Sequence, residues 1–188
     1  MKHNKINNLE ELKNRIKQEC KNKVFFFPEY GEVKGYFGIK NIMFVAENPI
    51  KRNPDKEATE EDEKDWKPSS NDKILYTTLK KFGFGNAHLT DLVKLRKTQK
   101  EAKEFFKNIK EPESQKTFLQ QIDYLKEEYK IIQPKIIVAM TRRCEKYLIE
   151  FFGKGKVRYV FHYSHVGRYN KIEKYHEQLK KIKEEYEK

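Results

Sequence analysis

Residues 135–140, KIIVAM, are the stretch that decides the fold. This run of apolar, mostly β-branched residues follows Pro134 and ends at Thr141, a residue type that caps helices. A helical stripe precedes it: Phe118, Ile122, Leu125 and Tyr129. Amphipathic helix, buried strand and a second helix in this order are typical of a parallel sheet covered by helices.

The same order of apolar strand, loop and amphipathic helix begins at Ile42 and repeats along the chain. It predicts strands at residues 42–45, 87–92 and 157–161. It predicts further helices at residues 75–82 and 175–186. We therefore expect an α/β protein, a three-layer α/β/α sandwich around a central, mainly parallel four-stranded sheet.

The N-terminal part should decorate this core. Asn8 can cap a first helix, whose apolar face consists of Leu9, Leu12, Ile16 and Cys20. Residues 24–27 and 36–39 predict a hairpin around Pro28. With 188 residues in all, we expect one domain over residues 1–188, with residues 8–40 as its decoration.

The charge balance points to a polyanionic partner. Lys and Arg number 41 against 29 Asp and Glu, a formal net charge of +12, and aromatic residues reach 13%, which is typical of a folded chain. Nucleic acid is the partner class that this excess favours. A Lys/Glu-rich surface of a heat-adapted protein is the alternative.

Only Cys20 and Cys144 are present, which speaks against a disulfide framework, a cysteine zinc site and an iron–sulfur cluster. We expect neither a metal nor another cofactor. No apolar run approaches the ~20 residues of a membrane helix, and the N-terminus is polar. The sequence predicts a monomeric cytoplasmic protein without membrane association, nucleoid-associated in a prokaryote.

Ligands of open parallel sheets bind beyond the carboxyl ends of the strands, where the loops converge. That rule selects residues 46–49, 90–94, 141–143 and 162–166. Among them, Asn48 could hold a water, and His162 could donate to an oxygen that becomes negative. The alternatives are that Asn48-Pro49 simply forms a turn and that His162 is a hydrogen-bonded histidine at a strand end.

Three of these segments resemble motifs of the uracil-DNA glycosylase superfamily. AENPI at 46–50 resembles the first motif, in which a strand runs into Gly-x-(Asp/Asn/Ala)-Pro. HYSHV at 162–166 resembles the second, His-Pro-Ser-Pro-Leu or Asn-Pro-Ser-Gly-Leu. HLTDLVK at 88–94 is similar to the Thr-Asn-x-Val-Lys end of the strand that reads the base. The resemblance spans about residues 42–170 and implies a divergent member without an iron–sulfur cluster.

The resemblance implies a role for each residue. Asn48 would position the hydrolytic water, with Glu47 second because some branches carry a glutamate there. His162 would hydrogen-bond the base O2 and stabilise the departing anion. Ser164 would hold a phosphate. Val166 falls where a leucine wedge fills the space left by the flipped nucleotide.

The base pocket would involve Ala46, Asp91 and Trp66. Trp66 is expected to stack on the base, with Tyr76 behind it, although Trp66 could equally be a packing residue. Aspartate replaces the asparagine that reads the base, and ionised aspartate only accepts hydrogen bonds. A base with donors on that edge or a protonated Asp91 would resolve the mismatch; otherwise Asp91 merely caps the following loop.

The motifs depart from the family pattern at three further positions: Ala46 replaces glycine, and Tyr163 and His165 replace prolines. The expected phosphate contacts come from a basic group: Arg142, Arg143, Arg168 and Lys171. The acidic run at residues 57–65 is a solvated loop or a mobile cover over the site.

The resulting hypothesis is a monofunctional, metal-independent DNA glycosylase of base-excision repair. It would flip a deaminated base out of DNA, most readily uracil and alternatively hypoxanthine or xanthine, and cleave its N-glycosidic bond by water attack. The altered prolines and Asp91 keep a non-catalytic nucleic-acid-binding protein of the same fold open as the alternative. A hydrolase of free nucleosides is a third hypothesis.

Overall fold

The computed structural model describes residues 2–21, 23–49 and 66–188. The acidic run at 57–65 and Ile50 of the first motif lie outside these ranges, so the expectation of a loop or cover over the site stays a prediction. Within the described ranges, no helix is both long enough and apolar enough to cross a bilayer.

The sheet has four strands: β1 (Lys40–Ala46), β2 (Ala87–Asp91), β3 (Ile136–Ala139) and β4 (Val157–Tyr159). Their order is β2-β1-β3-β4, and β3 pairs in parallel with both β1 and β4. Ile42 lies opposite Ile136, and Ile137 opposite Val157. All four predicted strands are confirmed, with ends that differ by one or two residues.

Seven α-helices lie within the described ranges. They are α1 (Lys2–Glu19), α2 (Ser70–Lys81), α3 (Gln99–Lys107), α4 (Pro112–Ile132), α5 (Arg142–Phe152), α6 (Tyr163–Arg168) and α7 (Ile172–Tyr186). Together with the sheet they confirm the expected α/β class with a parallel four-stranded centre.

The described residues group into two compact units, each assembled from three chain segments. The first unit consists of Met1–Phe26, Asn48–Trp66 and Asp91–Ile131, and it contains α1, α3 and most of α4. The second consists of Phe27–Glu47, Lys67–Thr90 and Ile132–Lys188, and it contains nearly all of the sheet with α2, α5, α6 and α7. The expectation of a single domain over residues 1–188 stays a prediction.

Side-chain caps begin several helices where the sequence offers them. Thr141 accepts a hydrogen bond from the Cys144 backbone N–H at the start of α5, as predicted. Ser69 and Asp72 form a reciprocal capping box at α2. Thr98 and Glu101 form the same motif at α3, a helix that the sequence reading missed.

The apolar strand segments and helix stripes that the sequence predicts form the core of each unit. In the second unit, residues 42–46 of β1 and all of β3 are buried, as expected for strands that are covered on both faces. The stripe of α7 is buried there as well: Tyr175, Leu179 and Ile182. In the first unit, Leu9, Leu12 and Ile16 of α1 are at most 4% exposed.

Two expectations for the N-terminal region are wrong. Helix α1 begins at Lys2, so Asn8 lies inside the helix instead of capping it. The hairpin of residues 24–27 and 36–39 does not form, because Pro28 has no N–H for a ladder and residues 35–37 make a 3₁₀ turn. Val24 instead forms an isolated bridge with Leu95.

Candidate active site

Glu47 directly follows β1, and both of its carboxylate oxygens are engaged. Oε2 accepts a hydrogen bond of 3.2 Å from the Thr141 hydroxyl, and Oε1 pairs with the Arg143 guanidinium. Since Thr141 also caps α5, Glu47 ties the end of β1 to the start of α5. The position of the carboxylate is thus fixed by two partners of the second unit.

Asn48 is half-buried and retains a free acceptor. Its Nδ2 donates to the carbonyl of Pro49 at 3.3 Å. Its Oδ1 receives no hydrogen bond from any residue in the described ranges. Within the described ranges this amide oxygen is therefore available to accept a hydrogen bond from a water.

His162 is the N-cap of the short helix α6. Its Nδ1 accepts a hydrogen bond of 3.2 Å from the Ser164 backbone N–H, and the Ser164 hydroxyl lies 2.6 Å from the same nitrogen. Because a backbone N–H can only donate, Nδ1 must be the acceptor, and the ring proton is on Nε2. The imidazole thus presents an N–H donor on its far side.

The surroundings of His162 favour its neutral form. Burial and, to a smaller extent, the nearby His165 together lower the pKa of His162 to about 4, against an opposing contribution from Asp72. The Tyr163 ring stacks on the imidazole at a centroid distance of 4.3 Å. A neutral imidazole held in this way can donate to an oxygen that gains negative charge, as a pre-oriented electrophile.

Ser164 has a different environment from the one predicted. Its hydroxyl and its backbone N–H both meet His162. The hydroxyl proton is therefore already directed at the imidazole, which leaves this side chain as an acceptor rather than a donor to a phosphate. The sequence reading missed that Ser164 orients His162.

Val166 does not fit the wedge role that the resemblance implies. Its side chain is only 1% exposed, whereas a side chain that enters a base stack has to project from the surface. The valine faces inward because α6 packs on α2. Tyr169, the C-cap of the same helix, is 57% exposed.

Asp91 ends β2 and is 3% exposed. Lys94 donates to the Asp91 backbone carbonyl at 3.0 Å and forms a buried ion pair of 3.1 Å with Glu128. Burial, with a smaller contribution from Glu128 and against the opposing charge of Lys94, raises the pKa of Asp91 to about 8. At neutral pH the carboxyl is therefore mostly protonated, and it can both donate and accept a hydrogen bond.

The two aromatic candidates, Trp66 and Tyr76, differ in exposure. Trp66, in the first unit, is half-buried. Tyr76, in the second unit, is 2% exposed, and its hydroxyl donates to the Pro28 carbonyl at 2.8 Å. Tyr76 is thus a packing residue, and of the two only Trp66 retains surface for a base. Ala46 is 3% exposed, so its methyl group belongs to the core.

The four basic candidates are all exposed and all lie in the second unit. Arg142 lies 3.7 Å from the Tyr159 ring centroid and pairs with Glu145 at 2.6 Å. Arg143 is held by Glu47. Arg168 has no ion-pair partner among the residues that the structure describes. Lys171 lies 5.1 Å from the Phe161 ring centroid.

The second unit therefore brings together a histidine with a fixed tautomer and a basic surface. The remaining candidates, Asn48, Trp66 and Asp91, belong to the first unit. The Glu47–Thr141 contact and the Lys94–Glu128 pair were not foreseen, because nothing local in the sequence marks partners 94 and 34 positions apart.

The chain matches the model of one protein family. Residues 37–186, most of the chain, match the model of the uracil DNA glycosylase superfamily. No curated protein matches the chain.

Proposed function

The chain belongs to the uracil DNA glycosylase superfamily, and from this premise we propose that it is a monofunctional DNA glycosylase of base-excision repair. It hydrolyses the N-glycosidic bond of a deaminated base, with uracil as the first substrate and hypoxanthine or xanthine as further ones. The family membership supports a glycosylase in general terms. The geometry at His162 supports the chemistry.

The single observation that carries the proposal is the hydrogen bond from the Ser164 N–H to Nδ1 of His162. It leaves Nε2–H as a donor on a ring whose low pKa keeps it neutral. Cleavage of the glycosidic bond passes through an oxocarbenium-like sugar and leaves negative charge on the base. A hydrogen bond from this N–H to a base oxygen is stronger in that transition state than in the ground state. Such a hydrogen bond therefore accelerates cleavage.

Asn48 is the group that positions the attacking water in this proposal. Its Oδ1 accepts no hydrogen bond from the part of the chain that the structure describes, while both oxygens of Glu47 are engaged by Thr141 and Arg143. Glu47 supports the end of β1 instead of taking a proton. This ranking keeps the expected order, with Asn48 first and Glu47 second.

Asp91 reads the base as a neutral acid. The carboxyl that burial keeps protonated offers one donor and one acceptor, the combination that asparagine provides for uracil O4 and N3–H. This supports uracil over bases whose edge carries only donors. In this proposal Trp66 stacks on the flipped base, and Ala46 contributes backbone to base binding.

DNA is held by its phosphates. The net charge of +12 attracts the polyanion, and Arg142, Arg168 and Lys171 are exposed in the same unit as His162. Arg143 contributes charge while paired with Glu47. These contacts position the duplex without reading its sequence.

The test is base release from oligonucleotides that carry one uracil, hypoxanthine or xanthine, in single and double strands, followed by alkaline cleavage at abasic sites. We expect cleavage of the uracil strand by the wild type, its loss in His162→Ala, and its retention in His176→Ala. His176 is a matched control, a half-buried histidine of α7 that contacts Phe82. Retained, salt-sensitive DNA binding with no abasic product for any base would contradict the proposal and identify a non-catalytic binding protein. Release of bases from free nucleosides alone would identify a nucleoside hydrolase.

A further inference from the structure

A DNA glycosylase that acts on duplex DNA has to replace the base that it extracts. Side chains that do this are apolar or aromatic, project from the surface and enter the stack beside the flipped nucleotide. Such a side chain must also be held firmly, because a disordered one would lose rotamer entropy on insertion. The question is which residue near His162 meets these requirements.

Val166 is apolar and firmly packed, but its side chain does not project from the surface. It is 1% exposed, and the neighbouring Gly167 shows how closely α6 approaches α2. A Cβ added at Gly167 would lie 3.0 Å from Cδ1 of Ile74 and 3.5 Å from Oδ1 of Asn71. Releasing Val166 toward DNA would require α6 to separate from α2, with loss of buried apolar area.

Tyr169 meets all of these requirements. It is the most exposed of the large hydrophobic side chains that the structure describes, at 57%. It follows His162 by seven positions, on the opposite end of the same helix α6. A tyrosine offers a flat ring that any base can stack on, and only two side-chain torsions are fixed when it inserts.

The backbone and the neighbours hold Tyr169 in place. Its N–H donates to the His165 carbonyl at 3.0 Å, and the Lys171 N–H donates to the Val166 carbonyl at 3.0 Å. Asn170 has φ 47°, so helix α6 ends as a Schellman motif that fixes the direction of the chain. The His165 ring contacts the Tyr169 ring edge-on at 5.8 Å, and the Lys171 ammonium lies 5.7 Å from its centroid.

The charges around Tyr169 suit a duplex. Arg168 precedes it, Lys171 follows two positions later, and both are exposed. Positive side chains on both sides of an exposed ring would contact the phosphates that flank a base step while the ring enters it. We propose that Tyr169, rather than Val166, is the residue that fills the space left by the extracted nucleotide. This inference rests on the proposed function.

The test compares one uracil sequence as a single strand and as a U·G duplex. Only the duplex has a stack to refill, so Tyr169→Ala should lower kcat/KM on the duplex by roughly tenfold to hundredfold, as expected for a lost base–aromatic stack. Activity on the single strand should stay within about twofold. Tyr169→Leu should retain most of the duplex activity, because leucine is also an apolar wedge.

Two control variants separate insertion from folding. Tyr30→Ala removes another exposed tyrosine, 41% exposed, and should leave both activities unchanged. Val166→Ala should lower the melting temperature without a selective loss on the duplex. An equal loss on both substrates in Tyr169→Ala, or no loss on either, would overturn the proposal.

A binding experiment distinguishes failure of the wedge from failure of the proposed function. In a duplex that carries 2-aminopurine beside the uracil, the fluorescence of 2-aminopurine should increase when the wild type binds, because unstacking relieves its quenching. Tyr169→Ala should bind with little brightening. If the wild type releases no base but increases the probe fluorescence, and Tyr169→Ala does not, the proposed glycosylase activity is wrong and the insertion of Tyr169 is supported. No brightening by the wild type, or equal brightening by Tyr169→Ala, would overturn the wedge.

Discussion

Lys94 and Glu128 form an ion pair of 3.1 Å in which the side chains are 1% and 0% exposed. Asp91, 3% exposed, adds a second carboxyl to this buried group. One lysine can balance only one carboxylate in a low-dielectric interior. The protein meets this condition by keeping Asp91 protonated, because burial raises its pKa to about 8. At neutral pH the buried acid can thereby donate a hydrogen bond, as the proposed reading of the base requires.

The stability of the protein should depend on pH through Asp91. Its folded-state pKa of about 8 lies above its ordinary value of 3.8, so its contribution is complete below pH 4 and is lost as the pH rises through 8. Urea denaturation at pH 5, 7 and 9 should show this fall in the wild type. The fall should be smaller in Asp91→Asn, and Asp123→Asn, an exposed aspartate of α4, should follow the wild type. Equal slopes in wild type and Asp91→Asn would contradict the assignment.

Removing one partner of the Lys94–Glu128 pair should destabilise the protein more than replacing both partners with apolar residues. Lys94→Met leaves a buried carboxylate uncompensated and should lower the free energy of unfolding by roughly 3–5 kcal/mol. The double variant Lys94→Met/Glu128→Leu should lose clearly less. The exposed pair of Lys126 with Asp123 is the control, and Lys126→Ala should cost at most about 1 kcal/mol. Additive losses in the double-mutant cycle would show that the two charges are not coupled.

Base release should be insensitive to the ordinary titration range of histidine. The pKa of His162 is lowered to about 4, so the neutral, active ring persists as the pH falls from 7 to 5, and the rate declines only toward pH 4. Imidazole ¹⁵N shifts should report the Nε2–H tautomer over this range. Ser164→Ala should raise the pKa of His162 and lower kcat more than it changes KM, because one hydrogen bond to Nδ1 is lost. An inflection near pH 6.5 that His162→Ala abolishes would count against a neutral electrophile.

Substitution of Asn48 should mainly lower kcat, whereas substitution of Glu47 should mainly lower stability. Asn48→Ala should lower kcat by roughly a hundredfold or more with little change in stability, since it removes the acceptor for the water. Glu47→Ala should lower the free energy of unfolding by ~1 kcal/mol, because it releases Thr141 and Arg143, and should reduce kcat less. Thermal melts and single-turnover rates on one uracil oligonucleotide measure both effects. A larger loss of kcat in Glu47→Ala would reverse the order of the two residues.

DNA affinity should depend on salt through the basic surface. Removing one phosphate contact reduces the slope of log K against log salt by ~1. Arg168→Ala is the sharpest test, because Arg168 has no ion-pair partner among the described residues. Lys180→Ala removes an equal charge from the exposed face of α7 and should change the slope much less. Equal changes in the two variants would indicate that only the net charge matters.

Local pattern predicted much of the fold. The runs around Ile42 and Val138 are short, apolar and rich in β-branched residues, which favours strands of a covered parallel sheet, and both are strands. Thr141 begins a helix because its hydroxyl satisfies a backbone N–H of the first turn. These features depend on neighbours within a few positions, and the sequence displays such neighbours directly.

The errors arose where distant contacts overrode local preference. Residues 24–27 and 36–39 carry strand-like composition, yet Val24 bridges Leu95 and no hairpin forms. Helix α3 was missed because its nine residues are too few to show a clear period, although Thr98 and Glu101 mark its start. For Val166, the motif position predicts a contact with DNA, whereas the side chain is only 1% exposed where α6 packs on α2.

By itself the sequence determined the α/β class, the four strands, the excess of positive charge and the two motif segments that carry Asn48 and His162. The tertiary structure alone decided that Ser164 sets the tautomer of His162, that Glu47 is engaged by α5, that Asp91 is a neutral acid and that Tyr169 is the exposed ring. The physical reason is that periodicity and capping are local properties, whereas burial, pKa and the choice of exposed face depend on groups that only folding brings together.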